Sequence, residues 1–277
     1  MSAHETTAIA SVEVLTGASA AGAKVALFDF DGTLSLIRAG WIDVMVPMMV
    51  EELAGLHTGE SAAELTAVVR DFVDRLTGKQ TVYQMIELSR QITLRGGTPQ
   101  DAIVYKKRYL DLLHARITHR LEELRQDRSS VGKYVVPGSL ELLDALRARG
   151  LTLYLASGTD QDYMRAEADL LGVTPFFNGG VFGALDDYKS FSKKMLIEKI
   201  IAGAECSGPE ILGFGDGYVE IENVKAVGGV AIGVASDEQE CRKVDAWKRD
   251  RLASVGADYI VPNYLCRAAL FDRLFAI

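Results

Sequence analysis

The chain has 277 residues, and its 30 basic and 38 acidic side chains give a formal net charge of −8. This length allows one large domain or two smaller ones at about 150 residues per domain. A content of 48% hydrophobic and 25% charged residues is typical of a soluble globular protein, and the acidic balance argues against nucleic acid as a partner.

The cysteines and the N-terminal segment bear on location. Cys206, Cys241 and Cys266 are widely separated and show neither metal-ligand nor redox spacing, so we expect small core residues in a reducing cytoplasm. Residues 1–23 are rich in Ala, Ser and Thr and lack a positive start, which predicts a flexible tail and not a signal peptide. No stretch approaches the ~18 apolar residues of a membrane span, so we expect no membrane partner.

The first predicted element is a buried strand that ends in two acids. Val25 to Phe30 form an apolar run of strand formers, as expected for a parallel strand covered on both faces. Asp29 and Asp31 follow at its end, and their spacing places both carboxylates on one side of an extended backbone. Ligands bind at the carboxyl ends of such strands, and two like charges this close need a cation or a shared proton. Because Mg²⁺ binds carboxylates and substrate phosphates together, the pair points to phosphate chemistry.

The same acids allow two other interpretations. A strand end followed by an Asp–Gly turn needs no ligand, because Asp and Gly both favour turns. A calcium-binding loop also contains alternating acids, but Gly32 comes too early and Gly40 lies where the bidentate Glu belongs. We reject the calcium loop and keep the simple turn as the alternative.

A helical block follows the first strand. Apolar residues recur at helical spacing, and Gly or Pro separates the runs. The predicted helices are Trp41–Leu53, Leu65–Leu76, Val82–Leu94 and Gln100–Gln126. We therefore predict an all-helical insertion over residues 39–133.

Strands and helices alternate from residue 134 onwards. The predicted strands are Leu151–Ala156, Glu210–Phe214, Gly229–Val234 and Asp258–Val261, and Phe176–Gly183 is expected as a short hairpin or loop. The predicted helices are Ser139–Arg149, Asp160–Leu171, Lys193–Ala204, Tyr218–Val227, Glu240–Ser254 and Tyr264–Phe275. This alternation predicts an α/β fold with a doubly wound parallel sheet, built from residues 24–38 and 134–277.

Polar residues follow two further predicted strands. Ser157 and Gly158 precede a predicted helix, where free N–H groups and a hydroxyl can bind an anion, although an ordinary helix cap is the simpler explanation of these residues alone. Asp216 follows the strand Glu210–Phe214 and is placed to meet Asp29 across neighbouring strands, with Glu220 one helical turn later.

Two lysines begin another predicted helix. Lys193 and Lys194 oppose the helix dipole there, so one of them is expected to serve another purpose than helix stability. A solvated surface lysine is the alternative for the other.

The segment Phe28–Thr33, with the sequence Phe-Asp-Phe-Asp-Gly-Thr, resembles the first motif of the haloacid dehalogenase superfamily of phosphatases. The resemblance implies a Rossmann-like core in which Asp29 is the nucleophile and Asp31 the general acid and base. Phosphatases of the superfamily carry that second acid, whereas its dehalogenases and phosphate-transferring pumps do not. The helical insertion after this motif resembles a C1 cap, a lid over the site.

Three later segments resemble the other motifs in the same order. Ser157 matches the second motif and Lys193 the third, with Lys194 as the alternative because the two lysines are adjacent. Asp216 matches the metal ligand of the fourth motif, and Glu220 matches an acid that supports the metal or its waters, where Asp is commoner. The resemblance implies phosphate binding by Thr33, Ser157, Gly158 and Lys193, and Mg²⁺ binding by Asp29, the carbonyl of Asp31, and Asp216.

The resemblance implies a Mg²⁺-dependent phosphomonoester hydrolase that works through an aspartyl-phosphate intermediate. Its expected partner is a small phosphorylated metabolite, for which the family's frequent substrates suggest a sugar or polyol phosphate. A phosphomutase and a non-catalytic phosphometabolite-binding protein are the alternatives. The oligomeric state stays open.

Polar residues near the start of the insertion are candidates for substrate choice. Arg38 follows the first motif, and Lys79, Gln80 and Tyr83 follow the break at Gly78. A break followed by polar groups suggests a loop over the cleft, and a solvated helix end is an equal alternative.

Overall fold

The computed structural model describes residues 11–185, 187–203, 206–237 and 240–276. The strands in these ranges are β1 (Glu13–Val14), β2 (Val25–Phe28), β3 (Thr152–Asp160), β4 (Gly180–Ala184), β5 (Ile211–Gly215), β6 (Val230–Val234) and β7 (Tyr259–Val261). The α-helices are α1 (Ile42–Ala54), α2 (Ala62–Leu76), α3 (Thr81–Leu94), α4 (Ala102–Gln126), α5 (Ser139–Ala148), α6 (Gln161–Leu171), α7 (Lys193–Gly203), α8 (Tyr218–Ala226), α9 (Ala246–Ser254) and α10 (Arg267–Leu274).

The strands form one sheet in the order β1-β7-β6-β5-β2-β3-β4. Every described pair is parallel except β1 with β7. β2 lies between β5 and β3, and its Phe28 is level with Phe214 of β5 and Leu155 of β3. The carboxyl ends of three strands from distant parts of the chain therefore meet at one edge, as the sequence predicts.

Helices cover both faces of this sheet. Successive residues of β2 point to opposite faces, so Ala26 and Phe28 belong to one apolar cluster and Val25 and Leu27 to another. The first cluster contains residues of α5, α6 and α10, and the second contains residues of α7, α8 and α9. The predicted doubly wound α/β fold is confirmed.

The helical block between β2 and β3 comprises α1 to α4. Helix α2 begins with a capping box, in which Ser61 and Glu64 satisfy each other's backbone N–H groups. Apolar residues of this block, such as Met45, Phe72 and Leu113, belong to the same cluster as Phe28 of the sheet. The helices extend over residues 42–126, inside the predicted insertion, whose boundaries at 39 and 133 stay a prediction.

The predicted tail is wrong for residues 11–23. Glu13 and Val14 form β1 on the outer edge of β7, where they bond with backbone groups that an edge strand leaves open. Ala20 is buried, and its N–H donates to the carbonyl of Leu274 at 2.7 Å. The first ten residues of the predicted tail lie outside the described residues.

Two further predictions are corrected. Gly180–Ala184 is an edge strand that pairs in parallel with β3, and not a hairpin, because its partner strand lies far back in the chain. Helix α9 begins at Ala246 and not at Glu240, since Cys241 has a φ of 50° and Asp245 caps the helix by accepting from the N–H of Lys248.

Two predictions about the whole chain also have structural counterparts. Cys206, Cys241 and Cys266 are buried free thiols, in agreement with the core positions predicted for them. Within the described ranges, no helix is both long and apolar enough to cross a membrane.

Candidate functional site

A cavity lies where the carboxyl ends of β2, β3 and β5 face the helical block. Its empty volume, part of which is open to solvent, is about 780 Å³. The core lines it with residues that include Asp29, Asp31, Ser157, Gly158, Thr159, Lys193 and Asp216. The helical block and its entry line it with residues that include Arg38, Trp41, Met45, Lys79, Gln84 and Tyr109. The structure thus brings most of the predicted site residues into one cavity.

Asp29 is paired with a lysine in a nearly dry setting. Its carboxylate forms an ion pair with the Lys193 ammonium at 2.8 Å and accepts a hydrogen bond from the N–H of Phe30 at 2.8 Å. Lys193 also pairs with Glu220, and only 3% to 6% of each of the three residues is exposed. One buried ammonium therefore bridges two buried carboxylates.

The adjacent lysine points away from the site. The Lys194 side chain is 74% exposed, and its ammonium lies 3.9 Å from Glu198 on the same helix. Of the two predicted alternatives, Lys193 is the lysine that the structure places in the cavity.

Asp31 lies in a different environment from Asp29. Its Oδ2 accepts from the Thr159 hydroxyl at 2.7 Å and lies 3.5 Å from the Ser157 hydroxyl. Its Oδ1 is buried and accepts no hydrogen bond from any described residue, with the Arg38 guanidinium 3.9 Å away. Although 27% of the side chain faces the cavity, burial raises the pKa of Asp31 from 3.8 to about 7, against the opposing effect of Arg38. A carboxyl group of this kind can exchange protons near neutral pH.

Arg38 is held by an acid that sequence analysis does not single out. Its guanidinium donates through Nε and Nη2 to both carboxylate oxygens of Glu167 in α6, at 2.8 to 3.1 Å. Both side chains are buried. This ion pair therefore holds Arg38, a predicted substrate-choice residue, in place at the wall of the cavity.

Asp216 follows β5, and residues of the first motif and of α9 surround it. Its N–H donates to the Thr33 hydroxyl at 2.9 Å, and its Oδ2 accepts from the Lys248 ammonium at 3.0 Å. A Cβ on Gly32, whose φ is +72°, would overlap this carboxylate. Thr33, predicted to bind phosphate, is fully buried and contacts the main chain of Asp216.

The oxygen atoms around the cavity suit a hard divalent cation. Among the described residues, no three His, Cys, Asp or Glu side chains form a metal-binding group by themselves. The carboxylates of Asp29 and Asp216 line the cavity together with Asp31, whose main-chain carbonyl is the third oxygen predicted for the metal. The buried Glu220 Oε2 accepts no hydrogen bond from any described residue. Two carboxylates and a carbonyl fit Mg²⁺, which keeps several waters in protein sites.

The predicted strand Leu151–Ala156 ends too early, whereas the predicted helix Asp160–Leu171 is displaced by only one residue. β3 continues to Asp160, and α6 begins only at Gln161. The buried Ser157 hydroxyl accepts from the N–H of Thr159 at 3.0 Å. The strand extends because residues as far as Asp160 still pair with β4, across an irregularity after Ala156.

Gly158 and Lys79 bring the helical block close to this strand. A Cβ on Gly158 would lie 3.1 Å from the Lys79 carbonyl oxygen. A side chain at this position would require the turn at Lys79 to move away by a few tenths of an ångström. Lys79, a predicted substrate-choice residue, lines the cavity from this turn.

Gln80 and Tyr83 are turned toward the core. The Gln80 carboxamide nitrogen donates to the carbonyls of Tyr188 at 3.1 Å and Phe191 at 2.7 Å. The Tyr83 ring packs edge-on against the Tyr188 ring at 5.7 Å. Both residues thus contact the loop that leads to Lys193, a position that favours anchoring over substrate contact.

Sequence reasoning missed several residues of this site. Thr159 could have been found from its spacing to Ser157, because alternate residues of a strand share a face. Glu167 and Lys248 carry no local signal, since each reaches the site only through helix packing. Trp41 and Tyr109 read from the sequence only as parts of apolar helical stripes.

The comparisons with known proteins agree with this geometry. A family model described as haloacid dehalogenase-like hydrolase matches residues 23–228. A search of curated proteins found no match.

Three solved structures illustrate the similarity of fold. A protein from Haemophilus somnus described as a predicted phosphoglycolate phosphatase is 15% identical, with a TM-score of 0.58 over 90% of this chain and 98% of that one. A phosphonoacetaldehyde hydrolase-like protein from Oleispira antarctica is 16% identical, with a TM-score of 0.58 over 92% and 94%. A protein from Thermotoga maritima described as a β-phosphoglucomutase is 16% identical, with a TM-score of 0.52 over 89% and 98%. At these identities the similarity shows the fold alone.

Proposed function

The chain belongs to the haloacid dehalogenase-like hydrolase family, and from this premise we propose that it hydrolyses a small phosphate monoester through an aspartyl-phosphate intermediate. The observation that carries the proposal is the contrast between two neighbouring acids. Asp29 is paired with Lys193, whereas burial raises the pKa of Asp31 to about 7. One carboxylate is thus suited to attack phosphorus, and the other to carry a proton.

The proposed reaction has two steps. An Asp29 carboxylate oxygen attacks phosphorus, and the ester P–O bond breaks as protonated Asp31 gives its proton to the leaving oxygen. Asp31, now a carboxylate, then takes a proton from a water molecule that attacks the aspartyl-phosphate, which releases inorganic phosphate and restores Asp29. Lys193, Ser157 and the main chain at Gly158 bind the phosphoryl oxygens.

A divalent cation fits this proposal. Mg²⁺ would be held by the carboxylates of Asp29 and Asp216 and by the carbonyl of Asp31. When bound, it would offset the repulsion between the Asp29 carboxylate and an anionic phosphate. Lys193, which is already bound to Asp29, contributes a positive charge to the same face of the cavity.

Two alternatives share these residues. A phosphomutase would use the same nucleophile and return the phosphoryl group to its substrate, as the description of the Thermotoga maritima protein suggests for that relative. A non-catalytic phosphometabolite-binding protein would have no need of Asp31 in addition to Asp29. We keep a sugar or polyol phosphate as the proposed substrate class and, because the three free cysteines are buried, the cytoplasm as the proposed location.

The roles of the two acids can be separated by rapid quench with a ³²P-labelled nitrophenyl phosphate. Asp29→Asn should form no phosphoryl-enzyme, because an amide oxygen is a poor nucleophile. Asp31→Asn should lower turnover by about 10²- to 10⁴-fold while labelled enzyme accumulates, because the good leaving group needs little protonation and the second step loses its base. Peptide mapping should place the label on Asp29.

Two controls sharpen this experiment. Lys193→Met should abolish turnover, whereas Lys194→Met removes the same charge from the adjacent exposed position and should retain it. Label on Asp31, or on a Ser or His, would overturn the assigned roles. Transfer of the label back to a sugar phosphate without release of inorganic phosphate would favour the phosphomutase.

A further inference from the structure

Lys248 is a cation that the proposed reaction does not use, and it touches a proposed metal ligand. Its ammonium lies 3.0 Å from Asp216 Oδ2, and only 14% of each side chain is exposed. Lys248 belongs to α9, which lies outside the residues matched by the family model. Asp216 lies within the matched residues, so the pair joins a residue of the matched region to one from the C-terminal region beyond it.

Two hydrogen bonds hold the start of α9, where Lys248 lies. Its N–H donates to the Asp245 carboxylate at 2.8 Å, which caps α9. The N–H of Asp245 in turn donates to the carbonyl of Ala235, directly after β6, at 2.9 Å. These hydrogen bonds hold the start of α9 against the sheet, and the Lys248 side chain extends from there to Asp216.

Asp216 is confined on its other sides. The Thr33 hydroxyl accepts from its N–H, and Gly32 leaves only enough space for the carboxylate beside it. The carboxylate oxygen that faces Gly32 is the same Oδ2 that pairs with Lys248. A divalent cation bound by Asp216 would therefore lie within a few ångströms of the Lys248 charge.

We propose that Lys248 is a positioning residue that holds the Asp216 carboxylate in the metal-free protein and weakens Mg²⁺ binding at that carboxylate. This inference rests on the proposed function, because it takes Asp216 as a metal ligand. The ammonium and the metal ion compete for the same negative charge and repel each other. At an effective dielectric constant of about 20, a like charge at this range changes metal affinity by at least about tenfold.

The two consequences have opposite signs. Loss of the Lys248 charge should tighten Mg²⁺ binding, since a competing cation is gone. It should also destabilise the metal-free protein, because Asp216 would keep a partly buried charge without this ion pair. If the Lys248 side chain only filled space beside Asp216, its replacement would destabilise the protein without changing the affinity for Mg²⁺.

The test is a calorimetric titration of Mg²⁺ into wild type, Lys248→Met and Lys248→Gln at fixed ionic strength, with thermal unfolding in EDTA. We expect the Kd for Mg²⁺ to be at least about tenfold lower in Lys248→Met and Lys248→Gln than in wild type. In EDTA, we expect both variants to have a lower midpoint temperature of thermal unfolding than wild type. Lys248→Arg should bind Mg²⁺ as wild type does, because it keeps the charge.

Arg249→Met is the matched control, since Arg249 is the next residue of α9 and pairs with Glu13 instead. Its Kd should stay within about twofold of wild type. An unchanged or weaker affinity in the Lys248 variants, beside measurable binding in wild type, would overturn this inference alone. Absence of Mg²⁺ binding in wild type would overturn the proposed metal dependence and this inference with it.

Discussion

Single-residue environments decide how the two acids of the first motif differ. Asp29 and Asp31 are two residues apart and chemically identical, yet one pairs with an ammonium and the other does not. Burial raises the pKa of Asp31 to about 7, and Arg38 opposes that rise. The difference arises from contacts with residues 38, 159 and 193, which are distant in the chain.

The raised pKa of Asp31 predicts a pH-dependent stability. The folded-state pKa of about 7 exceeds the ordinary value of 3.8, so the folded protein binds this proton more tightly than the unfolded chain does. Stability should therefore fall as pH rises from 4 through 7, by up to about 4 kcal/mol from this group. Asp31→Asn lacks the ionisation and should be more stable than wild type at pH 8, with a difference that vanishes near pH 4.

Urea unfolding of both proteins in EDTA at several pH values measures this difference. A constant offset between wild type and Asp31→Asn across the pH range would show that Asp31 ionises with an ordinary pKa.

Glycine at two positions explains how the longer acid at 220 fits. A Cβ on Gly217 would overlap the Glu220 Oε2 and lie 3.0 Å from the Gly78 Cα, and a Cβ on Gly215 would lie 2.9 Å from the Glu220 Cγ. These glycines let Glu220 pack under the turn of the helical block and reach Lys193. The departure from the commoner Asp is thus accommodated by the backbone around it.

At the scale of elements, α9 connects the core to the helical block. The Arg251 guanidinium donates to the carbonyls of Asp74, Arg75 and Thr77 at the end of α2, the last two at 3.1 and 3.3 Å. It also lies over the Tyr218 ring at 4.7 Å. The last carbonyls of a helix have no partner within the helix, so a guanidinium is a strong external donor for them.

This contact predicts that Arg251 keeps the turn after α2 seated on the cavity. In Arg251→Met, backbone amides of residues 74–80 should exchange at least about fivefold faster, because charge-assisted hydrogen bonds are lost. Arg249→Met removes a guanidinium from the same helix and should leave exchange in residues 74–80 unchanged. Equal exchange rates in all three proteins, measured by mass spectrometry, would show that other contacts hold the turn.

At the scale of the whole molecule, one apolar cluster joins the helical block to the sheet. Met45 and Leu113 from the block and Phe28 and Leu155 from the strands belong to it. A shared core couples the unfolding of its parts, since exposing one part removes contacts from the other. The predicted division into a core and an insertion therefore does not imply two independently stable units.

We predict a single cooperative unfolding transition. The chain has two tryptophans, Trp41 at the start of the helical block and Trp247 in α9. Trp41→Phe and Trp247→Phe each leave one fluorescent probe, and each protein should give the same urea midpoint by fluorescence as by circular dichroism. Trp247→Phe retains Trp41 as its fluorescent probe. If the fluorescence midpoint of this variant lay well below its circular-dichroism midpoint, the helical block would unfold first.

The sequence by itself determined the elements and the chemistry at their ends. Apolar runs and helical spacing are local patterns, so they predict the strand at Val25, the four helices after it and the alternation that follows. Asp29, Asp31 and Asp216 come directly after strands, and parallel strands bring such positions to one edge. These residues could therefore be placed in one site without coordinates.

Only the tertiary structure decided which neighbours complete that site. It distinguished Lys193 from Lys194, turned Gln80 toward the core, and brought Glu167 and Lys248 beside the acids. It also paired β1 with β7 and β4 with β3, contrary to the predicted tail and hairpin. Each of these outcomes depends on contacts between residues far apart in the chain, and such contacts leave no periodic trace in the sequence around either partner.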